Sequence, residues 1–270
     1  MRIARIIDLS GGIRHGVPTD DSHIRPLAMS PLDDLTLLDG QIEGQRWLAP
    51  VAPPNIFCIG LNYRAHAQET GADLTIQPVV FMKPTTTIND PRVPIELPAA
   101  CEQGPEVDYE AELAVIIGRS GKDIPLEQAL DYVFGYTCAN DISARRWQKQ
   151  GGGGQWIRGK SFDTFCPIGP VLVTADEIPD PQALEISCTL NGQRMQEGNT
   201  SDMIFSVAEL ISFLSRDTTL LPGTLILTGT PPGVGFARKP PVFLANGDCV
   251  QIEIGGIGVL ENPVIDAPAR

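Results

Sequence analysis

Several features that define common protein classes are missing from this 270-residue chain. No apolar run approaches the ~18 residues that a membrane-spanning helix requires. The N-terminal MRIARIIDLSGG lacks the pattern of a signal peptide. The six cysteines form no CxxC pair, which is typical of buried, reduced thiols in the cytosol. These absences predict a cytoplasmic protein with no membrane partner.

Basic residues are also scarce. The chain has 20 lysines and arginines against 33 aspartates and glutamates, which gives a formal net charge of −13. A surface this acidic repels phosphate backbones, so we expect no binding to nucleic acid. The hydrophobic content of 42% is ordinary for a soluble globular protein.

Glycine and proline, by contrast, are abundant, with 27 and 24 residues. So many turn residues predict a β-rich chain with short connections and few long helices. MRIARIIDLS and the following GGIRHGV predict two strands paired across a glycine turn. The proline-rich stretch 49–54 predicts an extended linker. We therefore predict a small N-terminal domain over residues 1–50 and a main domain over 51–270.

The stretch VDYEAEL, followed by AVIIG, predicts a buried strand with two carboxylates near its start. Glu110 and Glu112 are two apart, and side chains with that spacing share one face of a strand. A third acid, Asp141, ends the next strand-like run, Tyr132 to Ala139 with Asn140. Carboxylates grouped in this way suit Mg²⁺ or Mn²⁺. An equally good interpretation of the spacing alone is a solvated strand face.

His66 is the only histidine after residue 23. Asn62 is a candidate N-cap for a helix over residues 63–70, with Gly71 at its C-terminal end. On that helix His66 and Glu69 share a face. The pair could act as an oriented general base, although an exposed pair with no catalytic role is the more common arrangement.

Other segments are informative because of their context. Residues 154–161, GQWIRGKS, match the written phosphate-binding loop pattern, but no apolar strand precedes them and prolines follow, so we reject ATP binding.

The four glycines 151–154 predict a mobile loop. Ser206 and Glu209 predict a capping box at the start of an apolar-striped helix. TLILT, residues 224–228, predicts a buried strand that ends in a Gly/Pro loop able to hold a carboxylate.

Six motifs together resemble the fumarylacetoacetate hydrolase superfamily over residues 55–265. They are VDYEAELAVIIG, CANDISARRWQ, GKSFDTFCPIGPVLV, QEGNTSDMIF, PGTLILTGTPPGVG and GDCVQIEIGGIG. The resemblance is closest to the short bacterial and mitochondrial domain-containing members. It implies an α+β, mostly β fold with a mixed β-roll core and a small N-terminal appendage, usually in a homodimer.

The resemblance also implies roles for individual residues. The metal ligands would be Glu110, Glu112 and Asp141, and the catalytic residues His66 and Glu69 of a mobile lid, with Lys160 beside the metal. The substrate-binding residues would be Arg145, Gln148 and Thr230. We add Lys83, at the end of the strand-like run PVVFMK, to this last group. Arg146 departs from the family pattern, in which an acid is more usual at that position.

These residues predict an enzyme that uses Mg²⁺ or Mn²⁺ on a small 2-oxo or 2,4-dioxo acid through its enolate. Our first prediction is hydrolytic C–C cleavage of an acylpyruvate. Keto–enol tautomerisation or decarboxylation of oxaloacetate is the alternative, since fold and metal do not choose among these reactions. A non-catalytic metal-binding protein is a more distant alternative.

Overall fold

The computed structural model of the protein describes residues 1–101, 106–150 and 154–268. Strands dominate, as predicted. In chain order within these ranges they are β1 (Arg2–Asp8), β2 (Ile13–Pro18), β3 (His23–Pro26), β4 (Ile42–Leu48), β5 (Ile56–Gly60), β6 (Val79–Met82), β7 (Ile88–Asn89), β8 (Ile95–Leu97), β9 (Val107–Asp108), β10 (Ala111–Ile117), β11 (Val133–Asn140), β12 (Ser143–Ala144), β13 (Cys166–Thr174), β14 (Glu185–Leu190), β15 (Gln193–Asn199), β16 (Leu225–Leu227), β17 (Cys249–Ile254) and β18 (Gly258–Asp266).

Helices are short, as the glycine and proline content predicts. The described α-helices are α1 (Arg64–Thr70), α2 (Arg145–Lys149) and α3 (Val207–Leu214). Single 3₁₀ turns or short 3₁₀ helices cover Thr85–Thr87, Leu126–Tyr132, Ile157–Lys160, Ala175–Glu177, Thr200–Asp202 and Gly235–Ala237. The predicted glycine loop lies mostly outside the described residues.

The strands form a mixed set of sheets. In the described part of the chain, the largest sheet has the order β2-β3-β4-β1-β13-β11-β10-β16-β5-β6, with β7 beside β13. A second sheet has the order β15-β14-β17-β18-β8, and β12 pairs with β9. Neighbours are mostly antiparallel, but β16 and β5 are parallel. This confirms the predicted α+β, mostly β class with a mixed core.

The first strands are continuous with the main sheet. β1 pairs with β2 across the glycine turn, as predicted, and also with β4 and β13. Arg2 lies opposite Val173, for example. The backbone hydrogen bonds therefore run without a break from the N-terminal strands into the rest of the fold. The division of the chain at residue 50 remains a prediction.

β10 lies at the centre of the large sheet, with β11 on one side and β16 on the other. All seven of its residues are buried. Alternate residues face different cores: Leu113 packs in one hydrophobic cluster and Ala114 in another. A strand covered on both faces needs apolar residues in succession, which explains the run LAVII.

The ends of α1 and α3 show which of the predicted helix caps are present in the structure. The capping box of α3 is present, with Ser206 and Glu209 each bonding the other's backbone, and its apolar stripe is buried. α1 ends as predicted at Gly71, which adopts the left-handed conformation with φ 66°. Asn62, however, does not cap α1. Its side-chain amide donates to Thr228 O and its carbonyl oxygen accepts from Phe205 N, because tertiary neighbours offer buried partners.

Candidate active site

Antiparallel pairing of β10 with β11 brings the three predicted metal ligands together. Ala111 is opposite Asn140, so the start of β10 lies beside the end of β11, which Asp141 follows. The backbone of Asp141 donates to Glu110 O (2.9 Å), and the Asn140 side chain accepts from Glu110 N (3.0 Å). One carboxylate oxygen from each acid lies within 4.8 Å of the others.

The three acids are buried, which excludes the interpretation of a solvated strand face. Glu110, Glu112 and Asp141 have relative exposures of 6%, 1% and 0%. Glu112 lies on β10, whereas Glu110 directly precedes that strand. Buried carboxylates require compensating positive charge or hydrogen-bond donors.

Two lysines supply part of that compensation. Lys160 Nζ lies 2.6 Å from Glu110 Oε2 and 2.7 Å from Asp141 Oδ2. Lys83 Nζ donates to Asp141 Oδ1 at 2.5 Å and to the backbone oxygen of Ile142. Both ammonium groups are buried, so these contacts are screened little by solvent.

The two glutamates have opposite pKa shifts. Burial opposes ionisation of Glu110, but the Lys160 ammonium and the Arg145 guanidinium lower its pKa to about 2. Burial, followed by repulsion from Asp141 and Glu110, raises the pKa of Glu112 well above its ordinary value. The nearest compensation for Glu112 is the Gly229 amide, which donates to Oε2 at 2.7 Å. Negative charge is therefore in excess on the Glu112 side of the group.

This arrangement fits a hard divalent cation. All three donors are carboxylates, the ligand type that Mg²⁺ and Mn²⁺ prefer, and two of them, Glu110 and Glu112, line a cavity. Among the described residues, no lysine or arginine lies within ion-pair distance of Glu112. A cation at this position would neutralise the excess charge.

Arg145 and Gln148 lie one turn apart on α2, and both are buried. Arg145 Nη1 donates to Gln148 Oε1 at 3.0 Å, while Nη2 lies 2.8 Å from Glu110 Oε1. Arg145 Nε donates to Asp108 Oδ2 at 2.8 Å. The guanidinium is thus held between two carboxylates, and its hydrogen bond to Gln148 also orients that side chain.

Asp108 connects the Arg145 side chain to the loop that contains Gly235 and Phe236. Its carboxylate also accepts from the backbone N–H groups of Gly235 (2.7 Å) and Phe236 (3.0 Å). Burial raises the pKa of Asp108, and Arg145 opposes that shift. Because every hydrogen-bonding neighbour is a donor, the ionised form is the one that the geometry accommodates.

His66 and Glu69 form the predicted pair on α1. His66 Nδ1 lies 3.1 Å from Glu69 Oε2, and the imidazole is buried. Glu69 Oε1 accepts from the backbone of Gly233 at 2.8 Å, so the same carboxylate also attaches α1 to the loop after β16. A carboxylate at Nδ1 favours the tautomer whose Nε2 has a free lone pair.

Thr230 is placed by a buried glutamine. Gln196 Nε2 donates to Thr230 Oγ1 and to Pro231 O, each at 2.8 Å, and Gln196 Oε1 accepts from Ala111 N at 2.9 Å. Gly229, just before, has φ 95°, and a Cβ there would lie 2.7 Å from Asn62 Cβ. Only glycine fits there while presenting its amide to Glu112.

A cavity of about 250 Å³ connects these groups. Its charged and polar lining comprises His66, Thr70, Glu110, Glu112, Arg145, Gln148, Lys149, Lys160 and Thr230. Its larger apolar lining residues include Ile59, Leu61, Phe81, Trp156 and Phe236. His66 thus shares one small space with Glu110 and Glu112, which suits a small polar substrate.

Most of the predicted site residues line this cavity, and three do not. Glu69, Asp141 and Lys83 are absent from its lining. Glu69 instead contacts the cavity-lining His66. Lys83 lies behind Asp141, where its ammonium is fully buried against that carboxylate. This position differs from the predicted contact with substrate and instead suits orientation of a metal ligand.

Sequence reasoning did not single out Asp108, Gln196, Lys149 or Phe236. Asp108 and Gln196 occur inside the quoted motifs VDYEAEL and QEGNTSDMIF, which was the available signal. Their partners are far away in the chain, so spacing alone could not reveal them. The GQWIRGKS segment contains the 3₁₀ helix Ile157–Lys160. The described residues on either side of it form neither the strand nor the helix of a phosphate-binding loop.

The family model for the C-terminal domain of fumarylacetoacetate (FAA) hydrolase matches residues 55–265. The chain belongs to the fumarylacetoacetate hydrolase family. The resemblance drawn from the motifs is therefore confirmed, and the chain is an enzyme of this superfamily. Family members are generally dependent on divalent metals, and the acidic group Glu110, Glu112 and Asp141 could hold one.

Individual members of the family are similar over most of the chain. Oxaloacetate tautomerase fahd2, mitochondrial, from Xenopus laevis is 50% identical over 219 residues, or 81% of this chain and 68% of that protein. Human oxaloacetate tautomerase FAHD2A, mitochondrial, is 48% identical over 81% of this chain and 69% of its own length. The crystal structure of 5-carboxymethyl-2-hydroxymuconate delta-isomerase from Mycobacterium smegmatis has a TM-score of 0.85 and 38% identity, and covers 99% of this chain and 100% of that chain.

These relatives correct one prediction. Both curated tautomerases named above are mitochondrial proteins, which overturns the cytoplasmic location that we predicted from the lack of a signal peptide. A signal-peptide pattern reports export only, so its absence does not distinguish the cytoplasm from an organelle. In the described part of the chain, no helix is both long and apolar enough to cross a membrane.

Proposed function

We propose that this protein catalyses the keto–enol tautomerisation of oxaloacetate with the help of Mg²⁺ or Mn²⁺. The observation that carries the proposal is the identity of 48–50% to proteins named oxaloacetate tautomerase, over 81% of this chain. That finding supports the alternative drawn from the sequence better than acylpyruvate hydrolysis, which we had placed first.

The metal would be held by Glu110, Glu112 and Asp141. When bound, it would supply a Lewis acid that stabilises negative charge on the C2 oxygen of a 2-oxo acid. The chain positions these ligands itself: Lys83 orients Asp141, Arg145 orients Glu110 and the Gly229 amide orients Glu112. Such supporting contacts are what keep a metal site in a productive geometry.

Tautomerisation moves one proton between C3 and the C2 oxygen, and the composition of the substrate does not change. His66 is the group suited to carry that proton, because it lines the cavity together with the acids and Glu69 fixes its orientation. Burial opposes the charge on Lys160, but Asp141 and Glu110 raise its pKa, so it stays an ammonium. It can therefore donate a hydrogen bond to the oxygen on which charge develops.

The experiment that tests this function follows the enol absorbance of oxaloacetate with and without Mg²⁺. A tautomerase accelerates the loss of enol without forming pyruvate, which a coupled lactate dehydrogenase assay would detect. Pyruvate formed in step with enol loss would show a decarboxylase instead. Turnover of acetylpyruvate with no effect on oxaloacetate would reject the proposal in favour of hydrolysis.

We further propose that the protein works as a homodimer on this small-molecule substrate. The support is the family expectation drawn from the motifs, not a contact seen in this chain. Light scattering after size exclusion would test it, since a single chain has a mass of 29.1 kDa. A monomer with full activity would reject it.

A further inference from the structure

Among the described residues that line the cavity, one cation makes no direct ion pair with an acid. Three positively charged side chains line it: Arg145, Lys149 and Lys160. Arg145 and Lys160 each contact two buried carboxylates. Lys149, among the described residues, lies within ion-pair distance of no carboxylate. Asp108 attracts this charge only from beyond ion-pair distance. A ligand that brings a carboxylate to Lys149 would therefore meet a positive charge with no direct ion-pair partner.

Lys149 is nevertheless held in a defined place. Its Nζ lies 3.7 Å from the centre of the Phe236 ring, and the guanidinium carbon of Arg145 lies 4.4 Å from the same ring. A cation over an aromatic face is attracted to it without losing its ability to bind an anion. Phe236 in turn is fixed by its backbone hydrogen bond to Asp108. The ammonium is thus part of the cavity wall.

The position of Lys149 relative to the acids suggests which part of a substrate it meets. It is on α2, four residues after Arg145, and Arg145 contacts Glu110 directly. Lys149 lies about one helical turn after Arg145 and is exposed, and it lines the same cavity. Burial and the nearby Arg145 lower the pKa of Lys149, and Asp108 opposes that shift only in part. An arriving carboxylate would offset it further.

We propose that Lys149 is a specificity-determining residue that selects 2-oxo acids carrying a second carboxylate, which in oxaloacetate is the C4 carboxylate. This inference rests on the proposed function, since it assumes that the 2-oxo acid end of the substrate lies at the acidic group. It goes further by assigning the C4 carboxylate of that substrate to one side chain.

The first test compares oxaloacetate with its 4-methyl ester, which keeps the oxo acid and masks the distal charge. Lys149→Gln should raise the KM for oxaloacetate about tenfold, the effect of one charge-assisted contact, with kcat unchanged. The KM for the ester should not change, and Lys149→Arg should restore the wild-type preference. Lys122→Gln is the matched control, because it removes the same charge from a lysine outside the cavity.

A second test does not depend on turnover. Calorimetry in Mg²⁺ compares malate with lactate, which lacks the distal carboxylate. The wild-type protein should bind malate about tenfold more tightly, and Lys149→Gln should lose that preference. Equal affinities in the wild-type protein, or a malate preference that survives Lys149→Gln, would overturn the inference. Failure of oxaloacetate turnover with the malate preference intact would reject the proposed reaction alone.

Discussion

Asp108→Asn tests the support of the site most directly, because this carboxylate joins α2 to the loop that follows β16. Asp108 is fully buried. Its Oδ1 accepts from the backbone of Tyr109 and Gly235, and its Oδ2 from the backbone of Phe236 and from Arg145 Nε. In asparagine one of these oxygens becomes an NH₂ group. In either orientation of the amide, two protein donors then face a donor.

The magnitude follows from these contacts. Removing one partner of a buried ion pair costs about 3–5 kcal/mol. We expect the lower end, because Arg145 keeps its 2.8 Å contact with Glu110. At about 2–4 °C per kcal/mol for a chain of this size, a loss of about 3 kcal/mol lowers Tm by roughly 6–12 °C. Because the Arg145 guanidinium would be less restrained, kcat/KM should also fall by about tenfold to a hundredfold.

Thermal unfolding followed by circular dichroism, with oxaloacetate kinetics on the same samples, measures both effects. Asp33→Asn is the matched control, since Asp33 is exposed and its loss should change stability by no more than about 0.5 kcal/mol. An Asp108→Asn protein with the Tm and the kcat/KM of the wild type would refute the assignment of Asp108 as the anchor.

Further predictions concern the metal, the base, the rejected nucleotide site and pH. Glu112→Ala should abolish calorimetric Mg²⁺ binding, because it removes a metal ligand. The protein should stay folded, because burial and acidic neighbours already disfavour the charge of Glu112, as its raised pKa shows. Native Mg²⁺ affinity would contradict the ligand assignment. His66→Ala should lower kcat by roughly 10² to 10⁴ while Mg²⁺ affinity is kept, and undiminished turnover would exclude His66 as the base. ATP should not bind, and saturable micromolar binding lost in Lys160→Ala would contradict that. Asp8→Asn should lower Tm at pH 7 but less as the pH falls below about 4. Hydrogen bonds, the largest from Ser10, lower the pKa of Asp8, so its stabilising contribution is complete above its ordinary pKa and is lost as the pH falls through the lowered value.

Local patterns determined the elements that carry the site. The apolar run after Glu112 predicted the central strand β10, because a strand buried on both faces shows an unbroken apolar sequence. The capping box at Ser206 and the left-handed Gly71 marked helix ends through bonds made within a few residues. The motif set also identified the acids Glu110, Glu112 and Asp141 as a group. Signals of this kind depend on neighbours in sequence, so they can be seen without the fold.

The motifs also predicted the mixed, mostly β class, but not how the strands pair. Nothing in the first fifty residues indicated that β1 would continue the main sheet beside β13, more than 160 residues away. That pairing is set by matching edges and buried faces of distant strands.

Only the tertiary structure decided the charge balance of the site. Lys83 was predicted to contact substrate, and folding instead buries its ammonium against Asp141, 58 residues later. Asp108 accepts a hydrogen bond from Gly235, which lies 127 residues away in the chain. Gln196 donates one to Thr230, 34 residues away. Sequence periodicity reports which face of an element is buried, but not which distant polar group will satisfy a buried charge. The partners of these polar side chains depend on which strands and loops come together, and the chain settles that only when it folds.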